Sequence, residues 1–280
     1  MAYQAHPSCD TPADSTVVWR YMDVLKFTSM LESGCLWFTR GDLLDDPREG
    51  QFTGAERNHL ETFGDDAGWV VNLFNETRRQ SFVNCWYGSD EESMAMWKLY
   101  GKGYGSVAVR SSVSAVKAAL SSATQSVMVG QIKYLEAAES TWPNNVYGML
   151  VRKVNAYRHE SEIRLLIWHP NAANQFPESF NVTSVANLMA DELRKRHWSV
   201  SDSELRHVCE AAISSSIQRG YYQALPAGVP IAIDPSALVE EVVVGPDEPE
   251  WVTNTIRGLA QRYGLQKPIR SSSLRYPSKT

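Results

Sequence analysis

The sequence predicts an α+β fold with a mixed or antiparallel sheet core. Two observations predict this class. Short apolar runs of strand character alternate with amphipathic helical segments, and a helical block near 184–218 has strand-like segments both before and after it. The chain also shows no internal repeat of the kind that would indicate a solenoid.

The predicted strands are apolar runs bounded by glycine, proline or polar turns. They cover 17–21, 35–39, 81–87, 106–110, 127–134, 163–168, 231–233 and 238–244. The predicted helices show apolar residues at helical spacing, as Val24, Phe27 and Leu31 do before Gly34. They cover 23–31, 91–100, 113–121 and 251–263, with partial helix over 142–155. We expect a loose lead-in over 1–15 and a single domain over 16–280 with a helical insertion at about 183–220.

Composition narrows the classes of partner. The 280 residues carry a formal net charge of -5, which argues against a broad cationic surface for non-specific nucleic-acid binding. The four cysteines are scattered without zinc-ligand spacing, and no run of about 18 apolar residues indicates a membrane span. We expect a cytoplasmic protein with free thiols and no membrane partner, whose oligomeric state is open.

Glu160 and Glu162 are the first candidate catalytic pair. On an extended strand, residues two apart face the same side, roughly 7 Å apart. One carboxylate can then hold a sugar hydroxyl while the other orients a nucleophile or acts as a general acid. The structural alternative is a solvated strand end, with Arg164 as an ion partner.

Cationic and aromatic residues form a second candidate group. Arg20, at the end of an apolar strand, offers a bidentate donor for phosphate or carboxylate, and Tyr21 adds a stacking face. The aromatic cluster near the third predicted strand comprises Trp86, Tyr87, Trp97 and Tyr100. These residues suit either a planar ligand or a core, and a strand-edge salt bridge is the alternative role of Arg20.

Two further segments have both a functional and a structural interpretation. The loop 45–50 supplies oxygen ligands for Mg²⁺, or it is a turn in which Asp side chains bond backbone amides. Cys85 is a nucleophile assisted by His159 or His169, or a buried thiol, and burial is the more common case.

Three ordered motifs carry a resemblance to a known family. They are Trp19-Arg20-Tyr21 with Asp45-Asp46-Pro47-Arg48-Glu49-Gly50, then Cys85-Trp86-Tyr87 with Met96-Trp97-Lys98-Leu99-Tyr100-Gly101, then Glu160-Ser161-Glu162-Ile163-Arg164. From about residue 17 to 276 the chain resembles a bacterial family catalogued as a domain of unknown function. Its motifs are R-Y, N-D-P-F-E-G, C-F-S with M-W-x-x-Y, and E-x-E-x-R. Some members are associated with phage defence and abortive infection.

The motif order is also remotely similar to that of ADP-ribosyltransferases, which implies an NAD-dependent toxin or effector with that fold. By this resemblance, Glu162 stabilises positive charge on the ribose and Glu160 orients the acceptor. Arg20 holds the pyrophosphate or ribose, and Tyr21 or Tyr87 stacks on nicotinamide. Trp97 and Arg164 complete the expected NAD-binding set. The acceptor would be nucleic acid or protein, and an antitoxin or phage-derived partner is expected.

The chain departs from the family pattern at two positions, where Tyr87 replaces a serine and Asp45 an asparagine. Either change can weaken cofactor positioning, so whether the chain is an active enzyme is open. One alternative is a metal-dependent nuclease or hydrolase that uses Asp45, Asp46, Glu49, Glu160 and Glu162. Another is a non-catalytic binding or sensing module in phage defence.

Overall fold

A large, mostly antiparallel sheet organises the chain. The structure is a computed structural model, and it describes residues 2–7, 9–46, 49–61, 64, 67–101, 105–136, 146–168 and 226–275. The strands are β1 (Val17–Asp23), β2 (Cys35–Arg40), β3 (Ser81–Gly88), β4 (Ser106–Ser112), β5 (Val127–Gln131), β6 (Lys133–Leu135), β7 (Arg152–Val154), β8 (Glu162–Trp168), β9 (Gly228–Ala232), β10 (Glu241–Val244) and β11 (Ile269–Ser271).

Seven α-helices lie within the described ranges, joined by short 3-10 segments. The helices are α1 (Val24–Ser33), α2 (Gly54–Leu60), α3 (Ala67–Gln80), α4 (Met94–Tyr100), α5 (Val113–Ala119), α6 (Pro235–Leu238) and α7 (Glu250–Arg262). The 3-10 segments are Gly41–Leu43, Leu120–Ser122, Val146–Val151 and Asn155–Glu160. Within the part of the chain that the structure describes, no helix is long and apolar enough to cross a membrane.

The main sheet follows the order β11-β10-β4-β1-β3-β2-β9, and β8 pairs with both β3 and β5. Its strand pairs are antiparallel except β10 with β11, and β6 pairs in parallel with β7 in a separate ribbon. The predicted α+β class with a mixed or antiparallel sheet core is therefore confirmed. The predicted insertion at about 183–220 lies outside the described residues.

Strand β3 is the centre of the sheet, and one of its edges is divided. Its first edge pairs with β8 along residues 81–87. On its other edge, Phe82 and Val83 pair with β2, whereas Tyr87 and Gly88 pair with β1. Because β1 and β2 are both antiparallel to β3, they run parallel to each other, and α1 is the crossover between them. We call the unpaired edge of residues 84–86 the strand gap.

Side-chain alternation separates two faces of this sheet. Val18, Phe82 and Trp86 belong to the main apolar core on one face, which also buries side chains of α1, α5 and α7. Trp19 and Tyr21 pack with Trp97 of α4 on the other face, where Val83 joins a further small core. The gap therefore opens between two packed layers.

Several predicted boundaries were wrong. The partial helix predicted over 142–155 gives way to strand β7 at Arg152, and the strand predicted over 231–233 begins at Gly228. Three further differences are local. The helix predicted from residue 91 begins at Met94, because the Ser93 side chain accepts a hydrogen bond from the Met96 amide as N-cap. The strand predicted over 127–134 is interrupted at Ile132, whose side chain is buried. The strand predicted from 238 begins at Glu241, because Leu238 ends a helical turn that starts at the N-cap Asp234.

Candidate functional site

Three glutamate carboxylates form ion pairs with the side-chain amine of a single lysine. Lys153 Nζ lies 2.6 Å from Glu160 Oε2, 2.7 Å from Glu162 Oε2 and 3.0 Å from Glu49 Oε1. Arg164 joins them, with Nη2 at 2.6 Å from Glu49 Oε1 and Nε donating to Glu162 Oε1 at 2.8 Å. We call these five residues the ion cluster. It links the 49–50 turn, β7 and the start of β8.

The Glu160 and Glu162 carboxylates do meet, but not by strand alternation. Glu160 ends a 3-10 segment, Ser161 takes the left-handed conformation at φ 39°, and β8 begins only at Glu162. The prediction of an extended strand through both residues was therefore wrong. They reach a common point because the turn at Ser161 directs both side chains toward Lys153, which ion-pairs with each.

Burial and pairing fix the charge of Glu162. Burial alone would raise the pKa of this carboxyl, but Arg164 and Lys153 outweigh that effect and lower it to about 2. Its Oε2 has an ion pair with Lys153 but no partner in hydrogen-bond geometry. Glu162 is thus a permanently ionised group at neutral pH, suited to stabilising positive charge and unsuited to general acid catalysis.

Arg164 lies inside the protein rather than at a ligand surface. Its side chain is 1% exposed, and its nitrogens bond Glu49, Glu162 and the Leu150 carbonyl oxygen. The structural alternative for Arg164, an ion partner of the adjacent glutamate, matches this geometry. Its effect on any ligand would be indirect, through the orientation of Glu162.

Arg20 has a different environment at the strand gap. Its Nη1 donates to Asn84 Oδ1 at 2.9 Å and to the Cys85 carbonyl oxygen at 2.7 Å, and its guanidinium lies over the Trp86 ring. Among the described residues it has no carboxylate partner. Burial lowers its pKa, with only the Cys85 thiol opposing that effect. Arg20 is a fixed cation whose charge no described residue neutralises.

Asn84 organises this gap. It is 2% exposed. Its Oδ1 accepts from Arg20 and from Trp86 Nε1, while its Nδ2 donates to the Trp37 carbonyl oxygen of β2. One amide thereby ties together all three strands that meet at the gap. A lone asparagine inside an apolar strand gives no sequence signal for this role, and the sequence did not identify it.

Arg20 and Glu162 do not share one face of the sheet. Arg20 lies on the same face as Val18 and Met22, whereas Glu162 pairs with Tyr87 on the opposite face. Cys85 connects them: its carbonyl accepts from Arg20, and its thiol contributes to the low pKa of Glu162. Burial, followed by the charge of Glu162, raises the pKa of the Cys85 thiol, which argues against a nucleophilic thiolate.

The predicted aromatic residues differ in access. Trp97 and Tyr21 are buried and pack edge to face at 4.8 Å between ring centroids. They therefore belong to the core that underlies the site and are not accessible to a ligand. Tyr87 is partly exposed and contacts Tyr21 at 6.1 Å. Tyr100 is 45% exposed at the mouth of the ion cluster, and its hydroxyl donates to Glu160 Oε1 at 3.4 Å.

The sequence left two interpretations open for the 45–50 loop. Glu49 belongs to the ion cluster, and within the described ranges no group of three His, Cys, Asp or Glu side chains is arranged to hold a metal ion. The three carboxylates of the ion cluster surround Lys153 Nζ, which occupies the position between them. Lys153 was not predicted, because an isolated lysine between a 3-10 segment and a short strand has no distinctive pattern.

Comparisons with known proteins give a distant structural likeness. No protein-family model matches the chain, and no curated protein matches it. One similar solved structure is Thermus sp. 2.9 DarT in complex with ADP-ribosylated ssDNA, at 11% identity and TM-score 0.38, covering 96% of this chain and 100% of that one. Another is Thermus sp. 2.9 DarT in complex with carba-NAD+, at 11% identity and TM-score 0.34, covering 95% and 100%. Function is inferred here from the geometry of the chain itself.

Proposed function

We propose that this protein binds NAD and transfers its ADP-ribosyl group to an acceptor. The observation that carries the proposal is the ionised carboxylate of Glu162, which pairs across the strands with the partly exposed Tyr87. Arg20 lies on the opposite face of the sheet, so the same NAD molecule would reach its guanidinium only through the strand gap. When bound, NAD supplies an ADP-ribosyl group with nicotinamide as its leaving group. Its pyrophosphate needs a cation, and its nicotinamide ribose needs a nearby anion.

Arg20 would hold the pyrophosphate. A guanidinium without a carboxylate partner is worth most to an anionic ligand, because no ion pair inside the protein must be broken first. Its Nη1 is fixed by Asn84 and the Cys85 carbonyl oxygen, which orients the remaining nitrogens before the ligand arrives. The gap matters here because neither β1 nor β2 pairs with β3 at residues 84–86, although β8 pairs with the other edge of β3 there.

Glu162 would stabilise positive charge that develops on the ribose. The ion cluster contains three carboxylates and two cations, so its formal charge is -3 + 2 = -1. Lys153 and Arg164 keep the Glu162 carboxylate ionised and immobile without cancelling the negative charge of the group. A fixed charge that requires no reorganisation during the reaction is the efficient form of electrostatic catalysis.

Tyr87 and Glu160 complete the proposed site. Tyr87 lies directly opposite Glu162 in the β3–β8 pairing and is partly exposed, so it can stack on nicotinamide. Glu160 lies nearer solvent, bonded by Lys153 and Tyr100, where it can orient an acceptor group. The acceptor class, nucleic acid or protein, and a role as a phage-defence toxin with an antitoxin partner follow the family resemblance and belong to this proposal, as does action in the cytoplasm.

Nicotinamide release tests the proposal directly. Purified protein is incubated with NAD labelled in its adenylate half and with total cellular DNA, RNA and protein, and both nicotinamide release and label transfer are measured. We expect Glu162→Gln to reduce transfer on the order of 100-fold or more, as loss of a transition-state interaction does. We expect Arg20→Gln to raise the NAD concentration for half-maximal transfer about tenfold.

Two surface variants serve as matched controls. Glu32→Gln on α1 and Arg262→Gln on α7 alter exposed side chains with the same chemical changes and should retain wild-type transfer. Thermal melting of each variant separates a folding defect from a catalytic one. If the wild-type protein releases no nicotinamide with any acceptor pool, or if Glu162→Gln is as active as wild type, the transferase proposal is wrong and a binding module is favoured.

A further inference from the structure

A second unneutralised arginine lies away from the strand gap, near the end of α3. Arg78 is 8% exposed, and its Nε has no hydrogen-bond partner. No ion pair to Arg78 occurs among the residues that the structure describes. Burying a cation without a partner costs free energy, and a bound anion would reduce that cost.

Both carboxylates close to Arg78 are already engaged. Asp42 and Glu49 oppose the lowering of its pKa that burial causes. Asp42, however, is paired with Arg40 at 2.5 Å, and Glu49 is paired with Arg164 and Lys153. Arg78 therefore feels nearby negative charge without having a bonded counterion.

Gly50 leaves the backbone close to this arginine. A Cβ placed on Gly50 would lie 2.9 Å from Arg78 Cδ and Nε, and Gly50 has φ +67°. Only glycine combines this close approach with that backbone conformation at little cost. The turn thus brings the main chain against Cδ and Nε of Arg78.

Gly50 also lines a cavity of about 280 Å³ between the 50–52 segment, α2 and α3. Val71 and Phe74 line it from α3. Arg78 does not itself line the cavity, but it lies one helical turn beyond Phe74 and packs against Gly50, which does line it. The remaining lining residues are Gln51, Phe52, Arg57, Leu60 and Asn75. We call this cavity, with Arg78 at its end, the α3 groove.

The groove combines cations with aromatic and amide groups. Arg57 is exposed, and the hydrogen bonds of its side chain to described residues are long, 3.5 Å to the Phe52 carbonyl oxygen and 3.4 Å to Gln51 Oε1. Phe52 and Phe74 pack edge to face at 4.8 Å and give the groove an apolar wall. Aromatic rings stack on planar bases, amides bond their edges, and paired guanidiniums bind phosphate.

We infer that the α3 groove binds a nucleoside phosphate unit, with the phosphate between Arg78 and Arg57 and the base against Phe52. This unit can come from a free nucleotide or from a single-stranded nucleic acid. The site is separate from the strand gap and does not depend on ADP-ribosyl transfer. Residue types alone did not reveal it, since Arg57 and Arg78 are 21 positions apart and lie on different helices.

Calorimetric titration of the full-length protein tests this inference. The probes are inorganic phosphate, adenosine, adenosine 5′-monophosphate and a ten-nucleotide single-stranded DNA, none of which contains nicotinamide. We expect the monophosphate to bind more tightly than adenosine or phosphate alone. Arg78→Gln should weaken its binding at least about tenfold, and Arg57→Gln about three- to tenfold.

The variants separate binding from folding and one ligand source from the other. Arg78→Lys should recover part of the affinity because it restores the charge, and Arg262→Gln on α7 should bind as wild type. If Arg78→Gln does not fold, the exposed Arg57→Gln provides the same comparison. Tighter, salt-dependent binding of the oligonucleotide identifies a nucleic-acid strand as the source, whereas equal affinities identify a free nucleotide. If no phosphate-bearing probe binds, or both glutamine variants keep the wild-type affinity, the inference is wrong.

Discussion

The strand gap and the ion cluster lie on the two sides of β3. They differ in whether their buried charges are paired with charges of opposite sign. In the ion cluster, every charged side chain has a partner of opposite sign within 3.0 Å. At the strand gap, Arg20 has only neutral oxygen acceptors. Charges that are paired within a protein chiefly fix its conformation, whereas a charge left unpaired is available to a ligand.

The difference separates supporting residues from candidate binding residues in this chain. Arg164 and Lys153 are ion-paired with glutamates, so they position Glu162 rather than contact a ligand. Arg20 and Arg78 have no ion pair with any residue that the structure describes. Arg20 lies at the strand gap, and Arg78 lies against the main chain of Gly50. Substitutions at paired positions should therefore affect stability most, and substitutions at unpaired positions should affect binding most.

The largest expected effect comes from replacing a paired and an unpaired arginine in the same way. Arg164→Met leaves Glu49 and Glu162 buried with Lys153 as their only remaining cation in the cluster, and we expect a loss of about 3–5 kcal/mol in the free energy of unfolding. Arg20→Met removes an uncompensated cation and two hydrogen bonds, and should cost about 1 kcal/mol or less. Urea unfolding of both variants and of the wild-type protein measures the contrast. Equal losses for the two variants would remove the distinction between the regions.

The sequence predicted this distinction only in part. Regular apolar alternation identified β1, β3 and β8 and placed the motif residues on them, because a buried strand leaves a strong periodic signal. It also indicated that Glu160, Glu162 and Arg164 interact. The helices α2 and α3 were not predicted, and with them the α3 groove was missed. Apolar residues are sparse in α2, but in α3 they recur at helical spacing, as Val71 and Phe74 do, so α3 was predictable from the sequence.

Long-range pairings account for the rest of what the sequence did not show. Lys153 reaches Glu49 across 104 positions, and Asn84 reaches Arg20 across 64. No local propensity encodes such contacts, since they depend on which strands become neighbours. The left-handed residue Ser161 was missed for the same reason: the convergence of the two carboxylates on Lys153, rather than the preference of serine, determines its conformation.

The next largest effect is the pH dependence of stability that Glu162 contributes. The pKa of Glu162 is lowered from 4.5 to about 2 in the folded protein, so its contribution is complete above pH 4.5 and is lost as the pH falls toward 2. That difference corresponds to roughly 3 kcal/mol by linkage. Unfolding titrations between pH 6 and pH 2 measure it. In Glu162→Gln this part of the slope should disappear, and an unchanged slope would show that Glu162 is not ionised in the fold as described.

A smaller effect would convert the strand gap into a paired region. Asn84→Asp puts a carboxylate where Oδ1 now accepts from Arg20, while it removes the donor to the Trp37 carbonyl oxygen. We expect stability to change by only about 1–2 kcal/mol, because the new ion pair offsets the lost hydrogen bond. The NAD concentration for half-maximal transfer should rise as in Arg20→Gln. Asn254→Asp on the exposed face of α7 is the control, and unchanged NAD dependence in Asn84→Asp would exclude Arg20 as the pyrophosphate ligand.

The smallest expected effect compares two tyrosines at the rim of the ion cluster. Tyr134 Oη accepts a 2.8 Å hydrogen bond from the Glu162 amide, so Tyr134→Phe should cost about 1 kcal/mol. Tyr100 bonds Glu160 at 3.4 Å and is largely solvated, so Tyr100→Phe should change stability by less than about 0.5 kcal/mol. Thermal melting and transfer assays at varied acceptor concentration measure both variants. Because Lys153 holds Glu160 independently at 2.6 Å, Tyr100→Phe should alter the acceptor requirement only slightly. A large loss of stability in Tyr100→Phe would place Glu160 within the structural part of the cluster rather than at its solvent-facing mouth.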